Sequence, residues 1–202
     1  SYQERAVKVL SLFLTDYTQE EIEGCVSRAY GNGKFDDDAI APVNFLKDVS
    51  VLELWHGPTS AFKDMALQLL PQLLSTALKK TGEKNEVLIP VATSGDTGKA
   101  ALEGFKDVEQ TKIMVFYPDN GVSRIQRLQM VTQQGSNVNV TAVKGNFDDA
   151  QSGVKAIFSD SKFNAQLNEK GISLSSANSI NWGRLVPQIV YYFSAYADML
   201  NK

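Results

Sequence analysis

Residues 56–64 read HGPTSAFKD, which places Lys63 between a phenylalanine and an aspartate, after a proline turn and before a strongly apolar run. An amine in that setting has two readings. It is a solvated lysine at a helix start, as most lysines are, or a partly desolvated nucleophile. The positive end of a helix dipole opposes its charge, and Ala61 and Phe62 withhold water on one side. Both effects favour the neutral amine, the form that attacks a carbonyl and gives a Schiff base.

A second candidate is VATSGDTGKAALEGF, residues 91–105, which reads as a buried strand, a glycine-bearing turn and a helix. In an open α/β sheet, ligands gather at the carboxyl ends of strands, where the next helix offers unpaired N–H groups and the positive end of its dipole. Ser94, Thr97 and the two glycines suit close approach by a phosphate or a carboxylate. The same residues suit a plain turn at Gly95 with Asp96 or Thr97 capping the helix, and the local sequence leaves both open. A P-loop is excluded. Its first glycine would fall at Thr93, and Ala100 stands where a Ser or Thr is required.

The remaining reactive types have simpler readings. His56, just before Gly57-Pro58, suits a structural place in that turn, and Cys25 suits the core. On position alone Arg184 is a surface residue of a helix. Trp182, Tyr191, Tyr192, Phe193 and Tyr196 have the spacing of helix packing.

The elements that must position these residues fall into two stretches. Val7, Leu10, Phe13, Leu14 and Tyr17 predict an amphipathic helix over 4–17, and Thr18 to Glu21 form a capping box that starts a second helix, ending near Ala29. Residues 35–47 read as connection. From there the pattern alternates: strands at 49–55, 86–92, 112–117, 138–143 and 172–175, and helices at 64–80, 98–105, 123–134, 147–158 and 182–200. The continuous apolar run EVLIPVA is of the kind buried on both faces of a parallel sheet. Pro71 predicts a kink or a break in the helix that begins at 64. The result is an α/β fold, a mostly parallel sheet with helices on both faces, preceded by a small helical segment over 1–48; residues 49–202 make the α/β portion.

Composition narrows the function. With 202 residues, a net charge of −3 and no basic cluster denser than Lys79-Lys80, the chain offers no face for nucleic acid. One cysteine and one histidine supply no structural metal site, and no run approaches the roughly 20 apolar residues that span a bilayer. The expectation is a cytoplasmic protein with no membrane or nucleic-acid partner and no metal.

Four motifs then combine: HGPTSAFKD, TSGDTGKAA, NGVSRIQRLQM and SANSINWGRLVPQ, in that order. Together they resemble the threonine synthase family, pyridoxal-phosphate enzymes of fold type II, the tryptophan-synthase-β type, and the resemblance runs along the whole chain. It implies that Lys63 holds pyridoxal 5'-phosphate as a Schiff base with Phe62 beside it. It implies that the loop 94–98 meets the substrate carboxylate and the cofactor's phenolic oxygen, with Asp96 where many relatives have Asn. Asn178, Ser179 and Arg184 would surround the substrate phosphate, with Thr97 and Thr93 completing the pocket. The implied reaction turns O-phospho-L-homoserine and water into L-threonine and phosphate. Two alternatives stand beside it, another β-eliminating pyridoxal-phosphate lyase and a noncatalytic relative that binds without turnover. Family members are longer, and their glycine- and asparagine-rich loop for the cofactor phosphate lies beyond the helix that ends near Leu200. The chain is therefore expected to be a fragment whose last strand and helix expose an apolar edge that favours self-association.

Overall fold

A computed structural model of the chain describes residues 1–201. The chain forms two compact units. One comprises Ser1–Thr76 with the residues from Ser179 on, and the other is the continuous stretch Ala77–Asn178. The boundary expected after residue 48 falls inside the first of them.

The first unit opens with α1 (Tyr2–Ser11) and α2 (Gln19–Tyr30). The capping box read from the sequence is present. Thr18 Oγ1 accepts from the Glu21 N–H at 3.2 Å, and Glu21 Oε2 accepts from the Thr18 N–H at 2.8 Å. Helix α1 stops at Ser11, short of residue 17, because the chain turns there. Leu14 and Tyr17 still reach the same core from the turns, and the Tyr17 hydroxyl donates to the Leu73 carbonyl at 2.9 Å. A hairpin of β1 (Val43–Phe45) and β2 (Ser50–Leu52) follows, paired antiparallel, so three residues of the expected connection are strand. The helix expected from residue 64 is broken into α3 (Asp64–Leu67) and α4 (Leu70–Thr81), with Pro71 in the first turn of α4, where its missing N–H costs no helical bond.

The second unit holds a four-stranded, all-parallel sheet flanked by helices. Its elements are β3 (Glu86–Ala92), α5 (Asp96–Phe105), β4 (Thr111–Pro118), α6 (Arg124–Val131), β5 (Val138–Val143), α7 (Phe147–Ser159), α8 (Ser161–Glu169) and β6 (Ile172–Leu174). The strand order is β5-β4-β3-β6. In β3 the even-numbered residues turn their polar groups toward β6, whose pairing ends at Leu88↔Leu174. Pro90, with no N–H to give, falls beyond that last pair, so the ladder loses nothing. Helix α8 went unread because none of its residues is buried. Asp160 ends α7 and caps α8 by accepting from the Phe163 N–H at 2.9 Å.

The chain then returns to the first unit as α9 (Trp182–Leu200). Val186 and Val190 join Ala6, Leu10, Ile22, Cys25, Val26, Met65 and Leu69 in one core. On its other side α9 exposes Tyr192, Phe193, Tyr196, Met199 and Leu200.

Candidate functional site

In the first unit, Lys63 stands at the N-cap of α3, and its carbonyl accepts from the N–H groups of Ala66 and Leu67. What fixes this start is Asp64. Its side chain is fully buried, with Oδ2 accepting from the Thr59 N–H and Oδ1 from the Thr59 hydroxyl, both at 2.8 Å. The turn folds so tightly on that carboxylate that a Cβ at position 57 would lie 2.5 Å from Asp64 Cβ, which is why glycine stands there. The Met65 and Leu67 side chains are fully buried one turn further on. The Lys63 backbone is thus locked while its side chain is only half-buried, with Nζ 3.9 Å from the centroid of the exposed Phe62 ring. Phe62 touches the amine through its face, the contact an ammonium makes with an aromatic ring.

His56 sits at the head of the same turn. Its Nδ1 lies 2.6 Å from Asp36 and its Nε2 2.8 Å from Glu53. When the ring is protonated both nitrogens donate, one to each carboxylate. The Glu53 bond first, then the bond and charge of Asp36, raise the imidazole above its usual pKa.

Arg184 is not the surface residue that its position suggested. It lies in the first turn of α9 and is 3 % exposed, and burial pushes its guanidinium below its usual pKa. The turn that leads into it is capped by Asn181, whose side chain accepts from the Gly183 N–H at 2.8 Å. A Cβ on Gly183 would meet Leu70 at 2.5 Å, so the first turn of α9 packs closely on α4. Ser179, just ahead, is exposed.

In the second unit the strand-turn-helix at 91–105 is as read. Thr93, 2 % exposed, binds the turn from within: its hydroxyl accepts from the N–H groups of Gly95 at 3.0 Å and Gly98 at 2.9 Å and donates to the Gly95 carbonyl at 3.2 Å. Gly95 has a φ of +150°, and a Cβ on Gly98 would lie 2.4 Å from Thr93 Cγ2. The glycines are therefore demanded by the turn. Ser94 is exposed and Asp96 and Thr97 are half-buried at the head of α5, where N–H groups and the dipole favour an anion. Asp96 Oδ1 accepts from the Gln126 side-chain amide at 2.9 Å and lies 3.3 Å from the Lys99 ammonium. Asn178, exposed at the end of this unit, donates to Ser176 Oγ at 2.9 Å.

Three of these residues carried signals that were not used. Asp64 stood beside the lysine, Ser123-x-x-Gln126 has the form of a capping box, and Lys99 falls one turn after Asp96 on an otherwise apolar helix face.

No protein-family model matches the chain. Among curated proteins it is similar to threonine synthase of Pseudomonas aeruginosa, at 46% identity over 96% of this chain and 40% of that protein. It is also similar to threonine synthase of Saccharomyces cerevisiae, at 36% identity over 100% of this chain and 40% of that one. Among solved structures, PLP-bound threonine synthase from Brucella melitensis superposes with a TM-score of 0.88 at 42% identity, over 98% of this chain and 41% of that chain. The chain spans about 40% of the length of these relatives.

Proposed function

We propose that these residues are the lysine-bearing and substrate-anion-binding portion of a threonine synthase, a cytoplasmic carbon–oxygen lyase that converts O-phospho-L-homoserine and water into L-threonine and phosphate. The observation that carries this reading is Lys63, an amine on a backbone that Asp64 clamps, against an aromatic ring. The likeness to threonine synthases along the chain supports it. So does the place of Arg184, buried in the first turn of α9, since a guanidinium offers a phosphate a planar pair of donors.

Lys63 and Phe62 fit pyridoxal 5'-phosphate: an amine for its aldehyde and a ring beside it. When bound, that group supplies an electron sink for charge developing at the substrate's Cα. Lys63 would hold it and, once its amine is released, take the Cα proton on Nζ and later return it. The short, clamped helix α3 restricts where that nitrogen can travel, which lets one base serve successive steps. Phe62 would keep water from the amine. Asp96 would accept a hydrogen bond at the cofactor's phenolic edge. Ser94, Thr97 and the N–H groups heading α5 would receive the substrate carboxylate, with Thr93 shaping their turn. Arg184 would give the substrate phosphate its planar pair of donors, and Asn178 and Ser179 would add neutral ones. The exposed apolar side of α9 supports self-association; the reading includes no metal, membrane or nucleic-acid partner.

The test is release of inorganic phosphate from O-phospho-L-homoserine by the full-length protein, with the organic product identified. Threonine with phosphate in equal amounts is expected. Phosphate without threonine makes the protein a phospholyase, and binding without phosphate release makes it a noncatalytic relative.

A further inference from the structure

The motif NGVSRIQRLQM has no part in the roles assigned above, yet it reaches Asp96. Gln126 is the third residue of α6 and closes that helix's capping box. Its Oε1 accepts from the Ser123 N–H at 3.1 Å, and its own N–H donates to Ser123 Oγ at 3.2 Å. That leaves the amide's two N–H groups, and Nε2 donates to Asp96 Oδ1 at 2.9 Å. The same oxygen lies 3.3 Å from Nζ of Lys99, a lysine only 7 % exposed. The amide crosses directly over the turn, since a Cβ on Gly95 would stand 2.4 Å from Nε2.

We infer that Gln126 is a positioning residue for Asp96, fixing it together with Lys99 as an ionised carboxylate at the head of α5, able only to accept a hydrogen bond. The inference rests on the reading of Asp96 as facing the cofactor, and it deepens that reading: the group that meets Asp96 must bring an N–H or O–H. The choice of glutamine is what points to the role. A capping box takes Glu or Gln alike, but only Gln has an N–H for a neighbouring carboxylate, and Glu would set two negative charges together. An ammonium and an amide N–H on one oxygen suit the ionised form. Other charges on the elements packed here are accounted for in part by their own pairs. Glu103 of α5 accepts from Gln133, Lys112 of β4 pairs with Glu86, and α6 adds the cations Arg124 and Arg127.

The experiment follows the Asp96 carboxyl carbon by NMR through a pH titration of the full-length protein with no cofactor added, the resonance being assigned by its loss in Asp96→Asn. Gln126→Glu, which keeps the capping box, is expected to raise the Asp96 midpoint by about one pH unit. Lys99→Met is expected to raise it as well. Ser123→Ala removes the capping box from its other side, spares the bond to Asp96 and should leave the midpoint within a few tenths of wild type. An unmoved midpoint in Gln126→Glu or, should that variant not fold, in Lys99→Met overturns the inference. An equal shift in Ser123→Ala does so too, since it would make the effect one of helix capping. Failure of phosphate release would overturn the functional reading and leave this titration standing; a flat titration with turnover intact would do the reverse.

Discussion

Two turns of this chain run into helices and carry residues of the proposed site, one over 57–64 into α3 and one over 93–98 into α5. Each contains an aspartate at the helix start, and the two are used in opposite ways. Asp64 is fully buried and accepts from the N–H and the hydroxyl of Thr59, five residues back, so its charge serves the shape of the turn. Asp96 has a side chain 46% exposed and is held by Gln126 and Lys99, while its own turn is bound by the Thr93 hydroxyl. The direction of its partners decides what a carboxylate does. Held from within its own loop it is a clamp, and held by side chains of α5 and α6 it keeps an exposed face, the one that would meet the proposed cofactor.

The comparison can be tested from the functional side of each turn to the structural one. Lys63→Ala should lower phosphate release by the full-length protein about a thousandfold or more, since it removes the nucleophile and base, and leave the urea midpoint near that of wild type. A large loss of stability instead would mean that the lysine belongs to the clamp. Asp64→Ala should behave in the opposite manner. It strands the Thr59 N–H and hydroxyl in a dry site, and should cost about 2–4 kcal/mol in urea unfolding, against less than about 1 kcal/mol for Asp96→Asn, which keeps an acceptor for Gln126 and Lys99. Equal costs would erase the distinction between the two carboxylates.

Thr93→Val keeps the shape of the side chain and removes the hydroxyl that two N–H groups share. A loss of about 1–3 kcal/mol is expected, with faster amide exchange at Gly95 and Gly98 and no change at Thr59. The smallest effect concerns His56, which anchors only the first turn. Its pKa is raised, so its contribution to stability is complete below the ordinary imidazole value of 6.5 and is lost as pH rises through the raised one. His56→Asn should therefore destabilise by up to about 1 kcal/mol at pH 6 and by less at pH 8, measured as the difference between urea unfolding curves.

Much of this was legible from local pattern. EVLIPVA and VNVTAV read as strands with their bounds, the capping box at Thr18 set the start of α2, and the last helix was read from Trp182 to Leu200. Those signals lie within one element. The hairpin strand VNF was too short to show a period, and α8 buries nothing that could mark a face. Of the site, Lys63 and the Ser94–Gly98 turn were visible as positions. The burial of Arg184 and the reach of Gln126 to Asp96 depend on contacts between residues far apart in sequence, which no spacing rule encodes; the use of Thr93 is local but depends on how its turn folds back on the hydroxyl.

The first unit is made from both ends of the described chain, with α1 against α9. Arg5 donates to Ser194 Oγ at 2.7 Å and pairs with Asp198 at 2.7 Å, across 189 positions in the first case. On a ribosome that geometry becomes a schedule. The second unit emerges as one uninterrupted stretch, whereas Ala6, Leu10 and Val26 must wait, uncovered by α9, while residues 77–178 are added. At roughly 5–20 residues per second that interval is on the order of ten seconds, long enough for a holding chaperone to bind. Lys63 is translated early and settled late. Its surroundings become permanent when α9 arrives, and the same helix delivers Arg184.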